Sequence, residues 1–357
     1  MSDRLRAGIL GASGYGGAGL IERLLRHEAV EISAIGSRQY AGKGLADCWP
    51  HLSGALPELR FADEDAVIES CDVLFCATPH GATAPLVKRA LDAGRAVIDL
   101  SADFRLDAET YRTWYGAVHP HPELISEARY GLVELHRHEL PGSRLIASPG
   151  CNATAASLAL APLAAAGLLG SSAVANVLTG VSGAGRSPST GFHFPEMTAD
   201  AFAYKPSGTH RHTAEIEATL GRVKVDGKQL SSNGHFQPFT VSFTPHVVPM
   251  ARGILATCST RPRDAELTNE ALLDVLRDYY LDDPLIRVQE ELPHTKAVSG
   301  SDRAVLSARY DERSRHIISF CAIDNLGKGA AGQAVQAFNV ANGYPETSGL
   351  ATHGFWP

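Results

Sequence analysis

Leu5-Arg6-Ala7-Gly8-Ile9-Leu10-Gly11-Ala12-Ser13-Gly14-Tyr15-Gly16-Gly17 is the stretch on which the fold turns. Leu5 to Leu10 has the pattern of a short buried strand, and glycines follow it at once. Leu20, Ile21, Leu24 and Leu25 then recur at helical spacing. A strand, a glycine-rich turn and a helix, in that order, raise Gly11, Gly14 and Gly17 from an ordinary turn to a variant of the dinucleotide fingerprint. Such a turn lets a pyrophosphate reach the unpaired N–H groups at the helix start. Gly11 and Gly14 are therefore expected at the cofactor.

Outward from the turn, Val30 to Gly36 reads as a second strand ending in Ser37-Arg38. An acid near that strand end suits a ribose 2′-hydroxyl, whereas a cation suits a 2′-phosphate. Ser37 and Arg38 therefore favour NADP, the plainer alternative being that Arg38 is a solvated loop charge. Asp72 to Ala77 and Ala96 to Leu100 read as further strands, with a helix over 82–93 between them. The alternation predicts a mostly parallel, doubly wound sheet of Rossmann type. Loops after the strand ends, Thr78-Pro79-His80-Gly81 and Ser101-Ala102-Asp103-Phe104-Arg105, lie where such sheets bind ligands. Arg105 there either meets an anion or pairs locally with Asp103.

Ser148-Pro149-Gly150-Cys151-Asn152-Ala153-Thr154-Ala155 is the next informative stretch. A strand-like run, Arg144 to Ala147, leads in, and an alanine-rich helical run over 155–169 leads out, with Pro162 inside it. The thiol of Cys151 is thus expected at a helix N-terminus, where open N–H groups and the helix dipole favour a thiolate. The competing reading is a small buried core cysteine.

Bulk composition narrows the function classes. The chain has 357 residues, 44% of them hydrophobic, which suits two domains with full cores. A net charge of -7 argues against an electrostatic nucleic-acid binder. No apolar run reaches the ~18 residues that span a bilayer, and no signal-peptide core precedes Leu5, so a cytoplasmic location is expected. The six cysteines form no CxxC pair, which excludes a zinc framework and points to reduced thiols. His119-Pro120-His121-Pro122 looks like a metal motif only superficially, and no metal site is expected.

Beyond Cys151 the pattern becomes strand-rich. Val174 to Thr179, Phe239 to Phe243, Gly253 to Thr260, Val305 to Tyr310 and His316 to Ala322 read as strands. Thr244 to Arg252 reads as a connection, residues 222–236 as a polar hairpin or loop, 264–281 as a helix and 330–342 as a last helix. This predicts an α+β domain with a mostly antiparallel sheet. Thr209-His210-Arg211-His212-Thr213 sits at a helix start, and buried core histidines rarely come as such a triplet. A thiolate beside a nucleotide site points to acyl-phosphate reduction through a thioester. His210 and His212 are the proton-transfer candidates, and Arg105, Arg186, Arg211 and Lys205 the cationic ones.

The Gly11 to Gly17 turn, Asp99 to Arg105 and Pro149-Gly150-Cys151 together resemble the N-acetyl-gamma-glutamyl-phosphate reductases. So do Ser182-Gly183-Ala184-Gly185-Arg186, His210 to Ile216, Phe243-Thr244-Pro245-His246, Ala322 to Leu326 and Lys328-Gly329. The resemblance covers nearly the whole chain in order. It implies an NADPH-dependent reductase of a γ-carboxyl phosphate in arginine biosynthesis, with a fold like aspartate-semialdehyde dehydrogenase. It places an NADP domain at 1–150, completed by 326–357, and a catalytic and dimerisation domain at 151–325. A homo-oligomer, dimer or tetramer, is implied. Carried over, Cys151 matches the nucleophile, His212 the acid/base, His210 and Arg211 adjoining site residues, and Ser13, Gly14, Tyr15, Gly16, Ser37, Arg38 and Asn325 the NADP contacts. Arg105, Arg186 and Arg211 match substrate phosphate or carboxylate ligands.

One departure concerns the substrate. Cys151-Asn152-Ala153-Thr154-Ala155 and Tyr204-Lys205-Pro206 resemble relatives that reduce an aminoadipyl or glutamyl phosphate linked to a small acidic amino-group carrier protein, in lysine or arginine synthesis. A basic rim from Lys205, Arg211, Arg222, Lys224 and Lys228 would suit such a partner. A nucleotide-binding protein without catalysis is the third reading, and it has no use for the cysteine and histidines together.

Overall fold

The computed structural model describes residues 4–225, 228–229, 239–262 and 267–356. The chain divides into two compact units, Met1–Pro149 with Ala330–Ala351, and Gly150–Gly329 with Thr352–Pro357.

In the first unit β1 (Leu5–Leu10), β2 (Val30–Gly36), β3 (Phe61–Ala62), β4 (Val73–Cys76), β5 (Ala96–Asp99), β6 (Arg129–Tyr130) and β7 (Leu145–Ala147) form one sheet, ordered β3-β2-β1-β4-β5-β7-β6. Every pairing is parallel. From β1 the chain builds to one side through β2 and to the other through β4, which makes the end of β1 a topological switch point. The glycine turn sits there, and contact requires two of its glycines. Gly11 has φ +77°, and a Cβ on it would lie 2.3 Å from the Ala77 carbonyl oxygen. A Cβ on Gly17 would lie 2.4 Å from Gly11 O. The helix Tyr15–Leu24 buries Leu20, Ile21 and Leu24 in a core shared with Val335 and Phe338. Those two belong to the helix Gly332–Asn342, which Gln333 fastens by donating from Nε2 to Gly131 O at 2.8 Å.

In the second unit the strands are β8 (Ser172–Gly180), β9 (Phe202–Ala203), β10 (Lys224–Val225), β11 (Lys228–Gln229), β12 (Thr240–Val248), β13 (Ile254–Thr260), β14 (Ile286–Val288), β15 (Ala304–Asp311) and β16 (His316–Ile323). One sheet has the order β14-β15-β16-β13-β8-β12-β9, and β10 pairs antiparallel with β11. The large sheet is mostly antiparallel, but β8 runs parallel to β12 and β14 to β15. A parallel pair needs a crossover. The one from β8 to β12 carries the helix His212–Gly221 and so brings the histidine segment alongside the helix Cys151–Ala165.

That helix is buried along its length from Asn152 to Ala164, which explains its apolar composition on every face. Pro162 has no N–H for the carbonyl of Leu158, and the Tyr280 hydroxyl donates to that oxygen instead at 2.7 Å. The helix begins at Cys151, earlier than the expected 155, and ends at Ala165. A second difference is that β12 continues through Pro245 into the expected connection. Pro245 O accepts from Tyr204 N on the β9 side, so its missing N–H falls on that side and outside the β8 ladder. The helix expected over 264–281 is Asn269–Tyr279, capped by Thr268 Oγ1 accepting from Ala271 N. Of the expected hairpin over 222–236, Lys224–Val225 and Lys228–Gln229 pair, and 226–227 and 230–236 lie outside the described residues. On β8 alternate residues point away from the core, leaving Val174 and Leu178 exposed. No helix among the described residues is long and apolar enough to cross a membrane.

Candidate active site

In the first unit a cavity of about 940 Å³ opens beside the glycine turn, lined by Gly11, Ser13, Ser37, Arg38, Glu64 and Arg89 among others. The Ser13 and Ser37 hydroxyls are hydrogen-bonded at 2.7 Å and join the turn to the end of β2. Gly14 is the N-cap of the helix Tyr15–Leu24 and provides no capping side chain, so the helix start is left to an external acceptor. Tyr15 packs on Trp49, whose indole donates to Ala12 O at 2.9 Å. Gly16 faces Ala77 and Leu100, with room for ordinary contact only. Arg38 donates Nε and Nη2 to Glu64 Oε1 at 3.2 and 2.7 Å. The volume, the bare helix start and a guanidinium at the β2 end fit a dinucleotide carrying a 2′-phosphate.

The Asp99–Arg105 loop of the same unit is held by its own polar groups. Asp103 accepts from Gly81 N, Thr83 N and Ala84 N and so caps the helix Ala84–Asp92. Arg105 donates Nε to Ser148 O and Nη2 to Leu100 O, each at 2.8 Å. Asp99 is fully buried, and burial lifts its carboxyl to about 7 against the hydrogen bonds from Ser101.

The second unit presents the thiol. Cys151, partly exposed, is the first residue of its helix, whose N-cap Gly150 carries no capping side chain. Glu215, 2% exposed, accepts from Gly150 N at 2.7 Å. That bond joins the starts of the Cys151 and His212 helices, because Glu215 lies one turn after His212. The histidines then divide by environment. His210 Nδ1 accepts from His212 N at 3.1 Å, and its ring packs on Tyr204, His212 and Phe243. Burial, reinforced by neighbouring His212, lowers His210 to about 3, which leaves it neutral and occupied as a helix-end acceptor. Tyr204 is raised to about 12, first by burial and next by Cys151.

Gly329 adds a steric constraint: a Cβ there would lie 2.8 Å from Cys151 Cβ. It sits in a π-helical turn, Gly327–Ala331, that also carries the fully buried Lys328. Asn325 is held within the same unit, accepting from Gly253 N at 2.8 Å and donating to Ser182 Oγ at 2.9 Å. Arg186 follows Gly185 in the polar loop after β8, and Arg211 precedes the His212 helix; both are partly exposed. Sequence reasoning gave no role to Glu215, Gly329 or Arg89, although Glu215 and Gly329 lie in the stretches His210 to Ile216 and Lys328-Gly329 that carry the resemblance.

Two family models match: "Semialdehyde dehydrogenase, NAD binding domain" over residues 6–143 and "Semialdehyde dehydrogenase, dimerisation domain" over 151–325. A Thermus thermophilus N-acetyl-gamma-glutamyl-phosphate reductase is 47% identical over 98% of this chain and 100% of its own. The Symbiobacterium thermophilum enzyme of the same name is 43% identical over 98% of each chain. This chain belongs to the N-acetyl-gamma-glutamyl-phosphate reductase family. Its fold is shared more widely. Aspartate semialdehyde dehydrogenase II of Vibrio cholerae superposes with a TM-score of 0.71 at 18% identity, over 95% of this chain and 98% of that one. The Candida albicans aspartate semialdehyde dehydrogenase, solved with NADP, gives 0.66 at 19% identity, over 94% and 99%.

Proposed function

We propose that this chain reduces N-acetyl-gamma-glutamyl phosphate to N-acetylglutamate 5-semialdehyde with NADPH, through a thioester on Cys151. The observation that carries the reading is Cys151 at the uncapped start of a buried helix whose N-cap is pinned by Glu215. The Cys151 sulfur attacks the acyl carbon, the carbon–oxygen bond to phosphate breaks, and inorganic phosphate leaves. N–H groups of the helix start face the oxygen on which negative charge develops. Bound NADPH supplies the hydride that converts the thioester to the aldehyde and frees the sulfur. His212 exchanges the proton at that sulfur, and His210, neutral and occupied at Nδ1, fixes its placement. Gly11, Ser13, Gly14, Tyr15, Gly16, Ser37 and Arg38 hold the cofactor, while Asn325 braces the Ser182 turn. Arg105, Arg186 and Arg211 serve the substrate's phosphate and carboxylate.

The free acetylated substrate is preferred to a carrier-linked one on a physical ground. Asn152 and Ala153, the residues that resemble the carrier-linked branch, are 2% and 0% exposed. Asn152 donates to the Tyr204 hydroxyl at 3.4 Å and accepts from Thr179 Oγ1 at 3.2 Å, so it braces Tyr204 inside the unit and presents nothing to a docking partner. The open face of β8, with Val174 and Leu178, is read as the seat of a second copy of the chain in a cytoplasmic homo-oligomer. The test is the reverse reaction: phosphate, NADP and N-acetylglutamate semialdehyde should give NADPH. No reaction there, with turnover of a carrier-linked semialdehyde, would overturn the substrate assignment.

A further inference from the structure

Arg89 belongs to none of the motifs discussed above, yet it lines the same cavity as Gly11, Ser13 and Arg38. Glu64 connects the two arginines. Its Oε1 accepts from Arg38 and its Oε2 accepts from Arg89 Nη1 at 3.1 Å. Arg89 Nη2 is engaged separately by Asp65 Oδ1. One carboxylate thus holds two guanidinium groups on its two oxygens, while a second keeps Arg89 oriented from behind. The Glu64 side chain is 27% exposed and begins the helix Glu64–Ser70, from which it can swing toward solvent. Arg38, at 89% exposure, is the looser of the two cations, and Arg89, at 41%, the firmer.

We propose that Arg89 and Arg38 together form a two-arginine clamp for the cofactor's 2′-phosphate, and that Glu64 occupies the clamp until the phosphate displaces it. The chemistry matches. A phosphate monoester offers three oxygens and close to two negative charges where the carboxylate offers two oxygens and one charge. Paired guanidinium forks favour the phosphate. Asp65 keeps Arg89 in place during the exchange. A nucleotide with a free 2′-hydroxyl has nothing to displace Glu64 with, so the clamp stays closed on its internal anion. Discrimination therefore comes from the exchange as well as from attraction.

The inference rests on the reading of the first unit as an NADP site, and the test separates the two. The probes are 2′,5′-ADP and 5′-AMP, titrated by calorimetry on the full chain, with no turnover required. The wild type should prefer 2′,5′-ADP; equal affinities would refute the NADP reading itself. Arg89→Leu should weaken 2′,5′-ADP by about tenfold, the scale of one charge-assisted hydrogen bond at a partly exposed site, and leave 5′-AMP unchanged. Glu64→Gln should tighten 2′,5′-ADP by roughly two- to fivefold, as expected when a partly exposed competing ion pair is removed. A preference in Arg89→Leu equal to that of the wild type overturns the clamp. So does Glu64→Gln weakening 2′,5′-ADP. Arg89→Lys covers the case of a damaged fold. Intermediate 2′,5′-ADP affinity with normal 5′-AMP supports the clamp, and parallel loss of both ligands in both Arg89 variants assigns Arg89 to folding and overturns it.

Discussion

Replacing Gly329 by alanine tests the geometry of the thiol directly. The added Cβ would stand 2.8 Å from Cys151 Cβ, 3.3 Å from Cys151 Cα and 3.2 Å from Asp324 O. Carbon atoms in good contact sit ~3.8 Å apart, so one side must yield by roughly 1 Å. The Cys151 side is a helix start anchored by Glu215, and the Gly329 side is a π-helical turn, a form that commonly marks functional sites. Overpacking of this kind costs about 1–3 kcal/mol in stability. A displacement of ~1 Å at a reacting atom can lower the rate by about a hundredfold. Gly329→Ala should therefore show kcat reduced by about ten- to a hundredfold, slower alkylation of Cys151 by iodoacetamide and a modestly lower Tm. Binding of 2′,5′-ADP should be unchanged, because the cavity beside Gly11 is untouched. If kcat and the alkylation rate both stay within about twofold of wild type, the close approach is refuted.

Two further outcomes follow from shifted proton affinities. His210 is neutral down to about pH 3, so His210→Asn should lower kcat without changing the shape of the pH–rate profile above about pH 4. His212→Asn should lower kcat by ~10²–10⁴; a much larger loss in His210→Asn than in His212→Asn would exchange the roles of the two histidines. Asp99 has its folded value raised from 3.8 to about 7 by burial. Between those values the folded chain holds a proton that the unfolded chain has lost, so stability falls as pH rises through the window, by on the order of a few kcal/mol in all. Asp99→Asn should flatten the slope of denaturant midpoint against pH from 5 to 7, and an unaltered slope would show that Asp99 titrates normally.

The two halves of the chain differ in how far they could be read. β1 and β2 fall where the apolar runs place them, because a buried parallel strand is a short apolar run ending in a glycine turn. The start of the Cys151 helix was harder to see, since Gly150 has no capping side chain and nothing marks the boundary at 151. The strand through Pro245 was hidden by a proline whose missing N–H happens to face the short β9. The parallel β8–β12 pairing was also hidden, because its crossover passes through a segment with little periodicity. Cys151 and the histidines stand out locally. Glu215, Gly329 and Arg89 act through partners 65, 178 and 25 positions away, and only folding brings each pair together.

The central claim is the thioester on Cys151. Mixing the chain with N-acetyl-gamma-glutamyl phosphate, with NADPH left out, isolates the first half of the reaction. One equivalent of phosphate should be released per active chain, and mass spectrometry should find the acyl group on the peptide carrying Cys151 and none in Cys151→Ser. Phosphate released only when NADPH is present, with no acylated peptide, would contradict the account.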